Sequence, residues 1–313
     1  MPQACVIGLD IGGTKIAGGV VLFPQGAIAF KETIPTAPQR GGERVLDDAI
    51  ELTRALYARA REQGHSIQGV GIGVCELVDS QGRVTSGQTL AWSHLDVAGR
   101  FGGIVPALVE SDVRAAALAE GLFGAGRPFD LFAYVTVGTG ISHTLVQEGR
   151  AFAGSCGNAL ILSSGALTFD CPHCGVRTDF VLEEFASGPG LLARYNQASQ
   201  RQVSRAEEIF SAAAEGDREA LQVLISGGEA LGNVVAFLVN VLDPAAIVVG
   251  GGLGVAGGPY WDAFEASTRN HIWHAAARAL PIIPAALGID AGIIGAAAAF
   301  QQKFLAVENS NRK

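Results

Sequence analysis

Two rhythms of apolar positions alternate along the chain. Residues 6–11 (VIGLDI) are apolar almost without a break, as in a strand buried on both faces. The turn GGTK follows, and residues 16–22 read as a second strand. Over 43–63 the apolar residues Val45, Ile50, Leu52, Leu56 and Tyr57 recur at helical spacing. A strand VGIGV is expected at 70–74, and residues 103–109 lead to a short strand ending at Glu110. Ser111 and Asp112 are both good N-cap residues, so a helix is expected from there through the alanine-rich stretch to Leu122.

The pattern then restarts. Residues 132–137 (FAYVTV) read as a strand, Gly138-Thr139-Gly140 as a turn and 141–147 as a second strand. Strand, glycine turn and strand thus occur at 6–22 and at 132–147, a repeat of pattern rather than of residues. It predicts two related α/β domains facing each other across a cleft. The later chain is mainly helical, with helices expected at 181–196, 204–213, 217–242 and 259–278. A strand at 245–249 runs into Gly250-Gly251-Gly252, and a last helix covers about 292–306.

Composition narrows the class. At roughly 150 residues per domain, 313 residues allow two domains, enough to bury a core without disulfide or metal staples. A chain 49% hydrophobic and only 17% charged is not disordered. The 42 glycines show no collagen-like period, so they mark turns and close backbone approaches. A net charge of −8 argues against a nucleic-acid or membrane-surface partner. Cys5, Cys75, Cys156, Cys171 and Cys174 are odd in number and scattered, unlike a secreted disulfide framework. The N-terminus lacks a basic start followed by a long apolar run, and glycine runs interrupt the longest uncharged stretches. A soluble cytoplasmic protein is expected.

Five motifs carry candidate chemistry. In Asp10-x-Gly12-Gly13-Thr14-Lys15, glycines let backbone N–H groups approach phosphate oxygens and Thr14 adds a hydroxyl. Asp10 at a strand end can hold Mg²⁺ through water. The bland reading is an ordinary tight hairpin. Gly138-Thr139-Gly140 stands in the equivalent turn of the second pattern, and its position gives it weight. Gly250-Gly251-Gly252 after a buried strand lets a flat ligand such as adenine lie on the backbone; plain strand–helix packing fits as well. Asp112, in Glu110-Ser111-Asp112, is either a base that takes a proton from a substrate hydroxyl or an N-cap. Cys171 and Cys174 form a CxxC, half of a tetrahedral zinc site, or two free thiols in a loop.

With these motifs in order, the chain resembles the ROK family of bacterial sugar kinases and sugar-responsive repressors. The supporting strings are LDIGGTK (9–15), GIGV (71–74), SDVRAAALAEG (111–121), VGTGI (137–141), LEEFASG (182–188), NVLDPAAIVVGGG (240–252) and DAGIIGAA (290–297). The resemblance implies an actin-like ATPase fold, two RNase H-like α/β domains around a central cleft. The corresponding division is a smaller domain over 1–115, completed by the helix at about 298–313, and a larger one over 116–297. It also implies ATP and Mg²⁺ as cofactors, a sugar or sugar-like acceptor and a homodimer. Repressor members carry a winged helix-turn-helix in front; here the first phosphate turn begins at residue 10, which favours a kinase.

By motif, Asp112 corresponds to the family's catalytic base. Gly12, Gly13, Thr14 and Lys15, with Gly138, Thr139 and Gly140, would hold phosphates, and Gly251 and Gly252 would border the adenosine. Ser111 stands where family kinases usually carry Asn. Their AGExGH string is Ala153-Gly154-Ser155-Cys156-Gly157-Asn158 here, so Ser155 replaces a sugar-binding Glu and Asn158 a His that contacts sugar and zinc. Glu183 matches the family's remaining sugar-contacting Glu. His143 lies in the altered run after the second turn and is expected to be packed. The family zinc loop CxCGxxGC has become CPHCGVRTD (171–179), so zinc held in the family's manner is not expected, and a site rebuilt with His173 or Asp179 stays open. The kept phosphate machinery and changed sugar-reading residues imply a kinase for an acceptor other than glucose, a C7-cyclitol among them. The alternatives are a conventional hexose or N-acetylhexosamine kinase, or a non-catalytic sugar-binding relative.

Overall fold

The computed structural model describes residues 4–170 and 177–311. In order, the elements begin with β1 (Ala4–Ile11), β2 (Lys15–Leu22), β3 (Ala27–Pro35), α1 (Gly42–Glu62), β4 (Ser66–Val74), α2 (Val97–Phe101), β5 (Ala107–Ser111) and α3 (Asp112–Phe123). Then come β6 (Leu131–Val137), β7 (Ile141–Gln147), β8 (Arg150–Ala151), β9 (Leu167–Asp170), β10 (Arg177–Phe180), α4 (Leu182–Ala186), α5 (Gly188–Ala198), α6 (Ala206–Ala214) and α7 (Arg218–Leu242). The chain finishes with β11 (Ala246–Gly250), α8 (Gly258–His271), β12 (Ile282–Pro284) and α9 (Ala291–Asn311). It forms two compact units. The first takes the described residues up to 128, 146–159 and those from 286 onward; the second takes 129–145 and 160–285. The α/β class expected from sequence is observed, as two five-stranded sheets.

The first unit's sheet has the order β3-β2-β1-β4-β5. β1–β2 and β2–β3 are antiparallel, whereas β1–β4 and β4–β5 are parallel. Alternation along β1 sends Cys5, Ile7, Leu9 and Ile11 into a core that also holds Val45, Leu46, Ala49, Ile50, Leu52 and Leu56 of α1. Val6 turns to the other face, where it joins Ile293, Ala297 and Phe300 of α9. That helix lies against glycines of the sheet. A methyl at Gly8 would overlap the Ile293 carbonyl, and one at Gly71 the Ala296 carbonyl. Gly295 in turn leaves room for the backbone of Ala115 in α3. This close layer fixes the ends of β1 and β5 relative to α3 and α9.

The second sheet has the order β12-β11-β6-β7-β8, with β11 parallel to both β6 and β12. Val135, Val137, Ile247 and Val249 pack with Leu191, Leu224, Leu231, Val235, Tyr260 and Phe264 in its core. Gly228 and Gly232 of α7 sit where a side chain would strike the Tyr260 and Phe264 carbonyls of α8. Among the described residues α7 is long and apolar enough to cross a membrane by length and composition. However, 56% of its most apolar window is buried in the unit, which explains its character.

Several boundaries differ from those read off the sequence. The expected division at 115/116 falls inside α3, and the one at 297/298 inside α9. Both helices are whole in the first unit, because α3 and α9 pack on each other. The helix expected at 181–196 is two. Ser187 ends α4 in extended conformation and caps α5, its Oγ accepting from Gly190 N at 3.3 Å, with proline in the first turn. The helix expected to reach 278 stops at His271, and β12 follows a 3-10 turn over Ala275–Ala279. β3, β8, β9, β10, β12 and α2 are additional to the expected elements.

Candidate active site

The first hairpin turn is closed by Gly12 N donating to Lys15 O at 3.0 Å. Thr36, fully buried, braces it: its hydroxyl donates to Gly12 O at 2.6 Å and its N–H to Thr14 O at 3.0 Å. Thr14 and Lys15 are left exposed. Gly13 lies so near Thr89 that a Cβ there would come within 2.8 Å of the threonine methyl. The turn therefore presents glycine backbone, a hydroxyl and an ammonium on a rigid base, a combination suited to phosphate.

Asp10 is the last but one residue of β1, and in register it stands beside Gly73 of β4, which stands beside Glu110 of β5. Asp10 lies on the α9 face of the sheet against Gly292, where no side chain fits. Burial raises its pKa and the nearby Lys15 only partly offsets that. Asp112 follows the end of β5. Asp112 does not hold the N-cap position that one reading of this segment gives it. Ser111 holds the N-cap position, and its side chain makes no cap bond. Asp112 is the first residue of α3, and its Oδ1 accepts from Val113 N at 2.6 Å. Burial pushes the Asp112 carboxyl up to about 7, and the charge of Asp10 adds to this. The Val113 N–H, Arg114 and the Ser111 hydroxyl pull the other way. A carboxylate so placed takes up a proton near neutral pH, which is what a general base must do.

Two neighbours were not singled out from sequence. Cys75 follows β4, and burial followed by the charges of Asp112 and Glu76 pushes its thiol up to about 12, so it stays a neutral thiol. Glu76 is only 5% exposed. It accepts from Thr89 N and Leu90 N, both at 2.7 Å, from Gln88 N at 3.2 Å and from the Ser86 hydroxyl. Burial alone would raise its pKa, but the bonds from Leu90, Ser86, Thr89 and Gln88 outweigh it and hold the carboxylate ionised. Glu76 thus ties the 86–90 loop to the end of β4, with Thr89 against Gly13. A carboxylate two residues past the apolar run VGIGV was the available signal. Thr36 offered none.

Ser155 and Asn158 belong to the same unit and are both exposed, on either side of buried Gly157. In the second unit, Gly138 N donates to Gly140 O at 2.9 Å, and Gly188 N donates to Gly138 O at 2.9 Å. Glu183 braces this turn rather than standing free, its Oε2 accepting from Ile141 N at 2.8 Å. Thr139 is exposed. The glycine run after β11 wraps the end of β6: Leu253 N and Gly254 N both donate to Val137 O. Gly251, at φ 81°, sits where a Cβ would strike Val137, and Gly252 has open space before it. Gly138, Gly251 and Gly252 are thereby gathered at one end of the second sheet. His143 is packed, 3% exposed, with Nδ1 3.2 Å from the Ser163 hydroxyl; burial pushes it down to about 4, so it is neutral. Cys171, His173 and Cys174 lie outside the described residues, among which no group of three His, Cys, Asp or Glu could hold a metal.

The chain as a whole is similar to known sugar kinases. The glucokinase of Thermotoga maritima is 28% identical over 97% of this chain and 99% of its own length. The N-acetylmannosamine kinase of Escherichia coli O157:H7 is 28% identical over 93% of this chain and 96% of its own. The ROK family glucokinase of Streptomyces griseus, solved with glucose and AMPPNP, superposes with a TM-score of 0.78 at 28% identity, covering 94% of this chain and 98% of that one. Such neighbours have the actin-like ATPase fold. The profile of the ROK family matches residues 6–303, and the chain belongs to that family.

Proposed function

We propose that this chain is an ATP-dependent kinase that phosphorylates a hydroxyl of a sugar or sugar-like polyol. The observation that carries the reading is Asp112, a partly buried carboxylate whose pKa is raised to about 7 just past the end of β5, in a segment where Ser111 already fills the N-cap. The acceptor oxygen attacks the γ-phosphorus, its proton passes to Asp112, and ADP leaves. Gly12, Gly13, Thr14 and Lys15 bind phosphate, as do Gly138, Thr139 and Gly140. Gly251 and Gly252 border the adenosine. Asp10, whose burial is not matched by a full counter-charge, fits a water-bridged Mg²⁺. Mg²⁺ there would supply neutralisation of phosphate charge.

The acceptor side consists of Ser111, Ser155, Asn158 and Glu183. A short hydroxyl and an amide at 155 and 158 cannot pair with sugar hydroxyls as a carboxylate and an imidazole do. A pocket with a changed polar pattern rejects acceptors that leave its groups unpaired. We therefore take the acceptor to be other than glucose, with a C7-cyclitol carrying an exocyclic hydroxyl as the candidate. The relatives named as glucokinase and N-acetylmannosamine kinase favour a second reading, a conventional hexose or N-acetylhexosamine kinase. Incubation with MgATP and a panel of hexoses, amino sugars and cyclitols decides between them. Tight sugar binding with no ATP consumption would instead make the chain a sugar-binding relative.

The same reading includes a cytoplasmic homodimer without zinc held in the family's manner. Phe237 and Val241 of α7 and Trp273 are 62%, 63% and 88% exposed, and Asn240 ties the Trp273 segment to α7 through Trp273 N at 2.8 Å. Such an apolar group supports a self-complementary contact. Sedimentation and elemental analysis test the two points.

A further inference from the structure

Arg114 is an unusual residue for its place. It lies in the first turn of α3, two residues after Asp112, and its side chain is only 7% exposed. A charge that deep needs partners for all its donors. Arg114 finds them in three places of the first unit. Nε donates to Glu110 Oε1 at 2.6 Å, Nη1 to Gly157 O at 2.6 Å and Nη2 to Val78 O at 2.8 Å. The guanidinium thus bridges the end of β5, the segment after β4 and the 153–159 loop, which are far apart in sequence.

Gly157 shows how close the loop is drawn. It is buried, at φ 81°, and a Cβ there would overlap the Val78 carbonyl and come within 2.6 Å of the Asp79 Cα. Ser155 and Asn158 emerge on either side of this pinned point. The turn that carries Asp112 therefore also carries the side chain that fixes Ser155 and Asn158. A planar fork with several donors can satisfy two carbonyls and a carboxylate at once; an ammonium cannot hold that geometry.

We propose that Arg114 is a positioning residue that sets the acceptor-reading loop 153–159 relative to Asp112, and so governs acceptor affinity without touching the nucleotide. This rests on the assignment of Ser155 and Asn158 to the acceptor.

The test compares wild type with Arg114→Met, Arg114→Lys and Gly157→Ala by hydrogen exchange and by steady-state kinetics. In Arg114→Met, exchange should quicken over 153–159 while the rest of the first unit keeps its protection. Displacing a substrate-holding segment by about 1 Å can cost up to ~100-fold, so the acceptor KM should rise ~10-fold or more while the ATP KM stays within about twofold. Arg114→Lys should recover only part of the affinity. Gly157→Ala moves the same loop with every charge in place, and decides the matter should Arg114→Met not fold. An acceptor KM unchanged in Gly157→Ala, or acceptor and ATP KM rising together with general loss of protection, would overturn the proposal. If wild type phosphorylates nothing in the panel, the kinase reading falls by itself; unchanged exchange over 153–159 in the variants then overturns this one independently.

Discussion

The negative charge of Asp10 raises the pKa of Asp112, although β4 lies between the β1 that carries Asp10 and the β5 that Asp112 follows. Both carboxylates are partly buried, and burial raises the pKa of each more than Lys15 or Arg114 lowers it. That arrangement leads to the following expectations.

Asp112→Asn should abolish turnover while keeping nucleotide binding. Loss of a positioned base typically costs ~10²–10⁴-fold in rate. The same variant should melt higher than wild type at pH 8. The folded-state pKa of Asp112 is raised, so destabilisation builds as pH rises from the ordinary carboxylate value to about 7 and is complete above it, and Asn removes that penalty. Below the ordinary carboxylate range Asp112 is protonated in both states, and the gain should vanish. Thermal melts of both proteins from pH 4 to 8 check this; equal melting points throughout would contradict it.

The Asp112 carboxyl should titrate near pH 7 in the metal-free protein, followed by carbon NMR of labelled aspartate. In Asp10→Asn the midpoint should move down, because a like charge has been removed. A midpoint near 4 in wild type would show that Asp112 is solvated and not tuned.

Glu76→Gln should weaken the fold and loosen the 86–90 loop. An amide in place of the carboxylate turns an N–H group toward at least one donor, so a loss of about 1–3 kcal/mol is expected in urea unfolding. The Glu76 pKa is lowered, so its contribution is present above the ordinary carboxylate pKa and is lost as pH falls through the lower folded value. The difference between variant and wild type should therefore shrink in acid.

Glucose should be a poor acceptor for wild type, and the double change Ser155→Glu with Asn158→His should improve it by ~10-fold or more in kcat/KM by restoring charged and imidazole partners to the sugar. The comparison is made at saturating MgATP. Efficient glucose phosphorylation by wild type would contradict this reading of the pocket.

The legible parts of the molecule were those written in local pattern. β1, β2 and β6 are runs of buried aliphatics, and the glycine turns after β1 and β6 follow them directly. β3 was hidden because it is an edge strand whose exposed Lys31, Glu32 and Thr33 blur the alternation. The break at Ser187 was hidden because α4 and α5 share one apolar rhythm across it. Asp112 was found by motif, but whether it capped a helix depended on a single backbone position. Thr36 and Arg114 were beyond sequence reading for a common reason: each bonds backbone carbonyls 24 to 43 residues away, and a carbonyl partner leaves no trace in the identity of the residue that carries it.

The fit of α9 onto Gly8 and Gly71 means that the first strands synthesised wait for the last helix. The ribosome must make the whole second unit before Ile293 and Ala296 exist to cover that face. At about 5–20 residues per second the delay is on the order of tens of seconds. During it the nascent first sheet exposes Val6, Ala17 and Val21, a natural landing place for chaperones. The second unit, free of this dependence, can fold while its host is still incomplete.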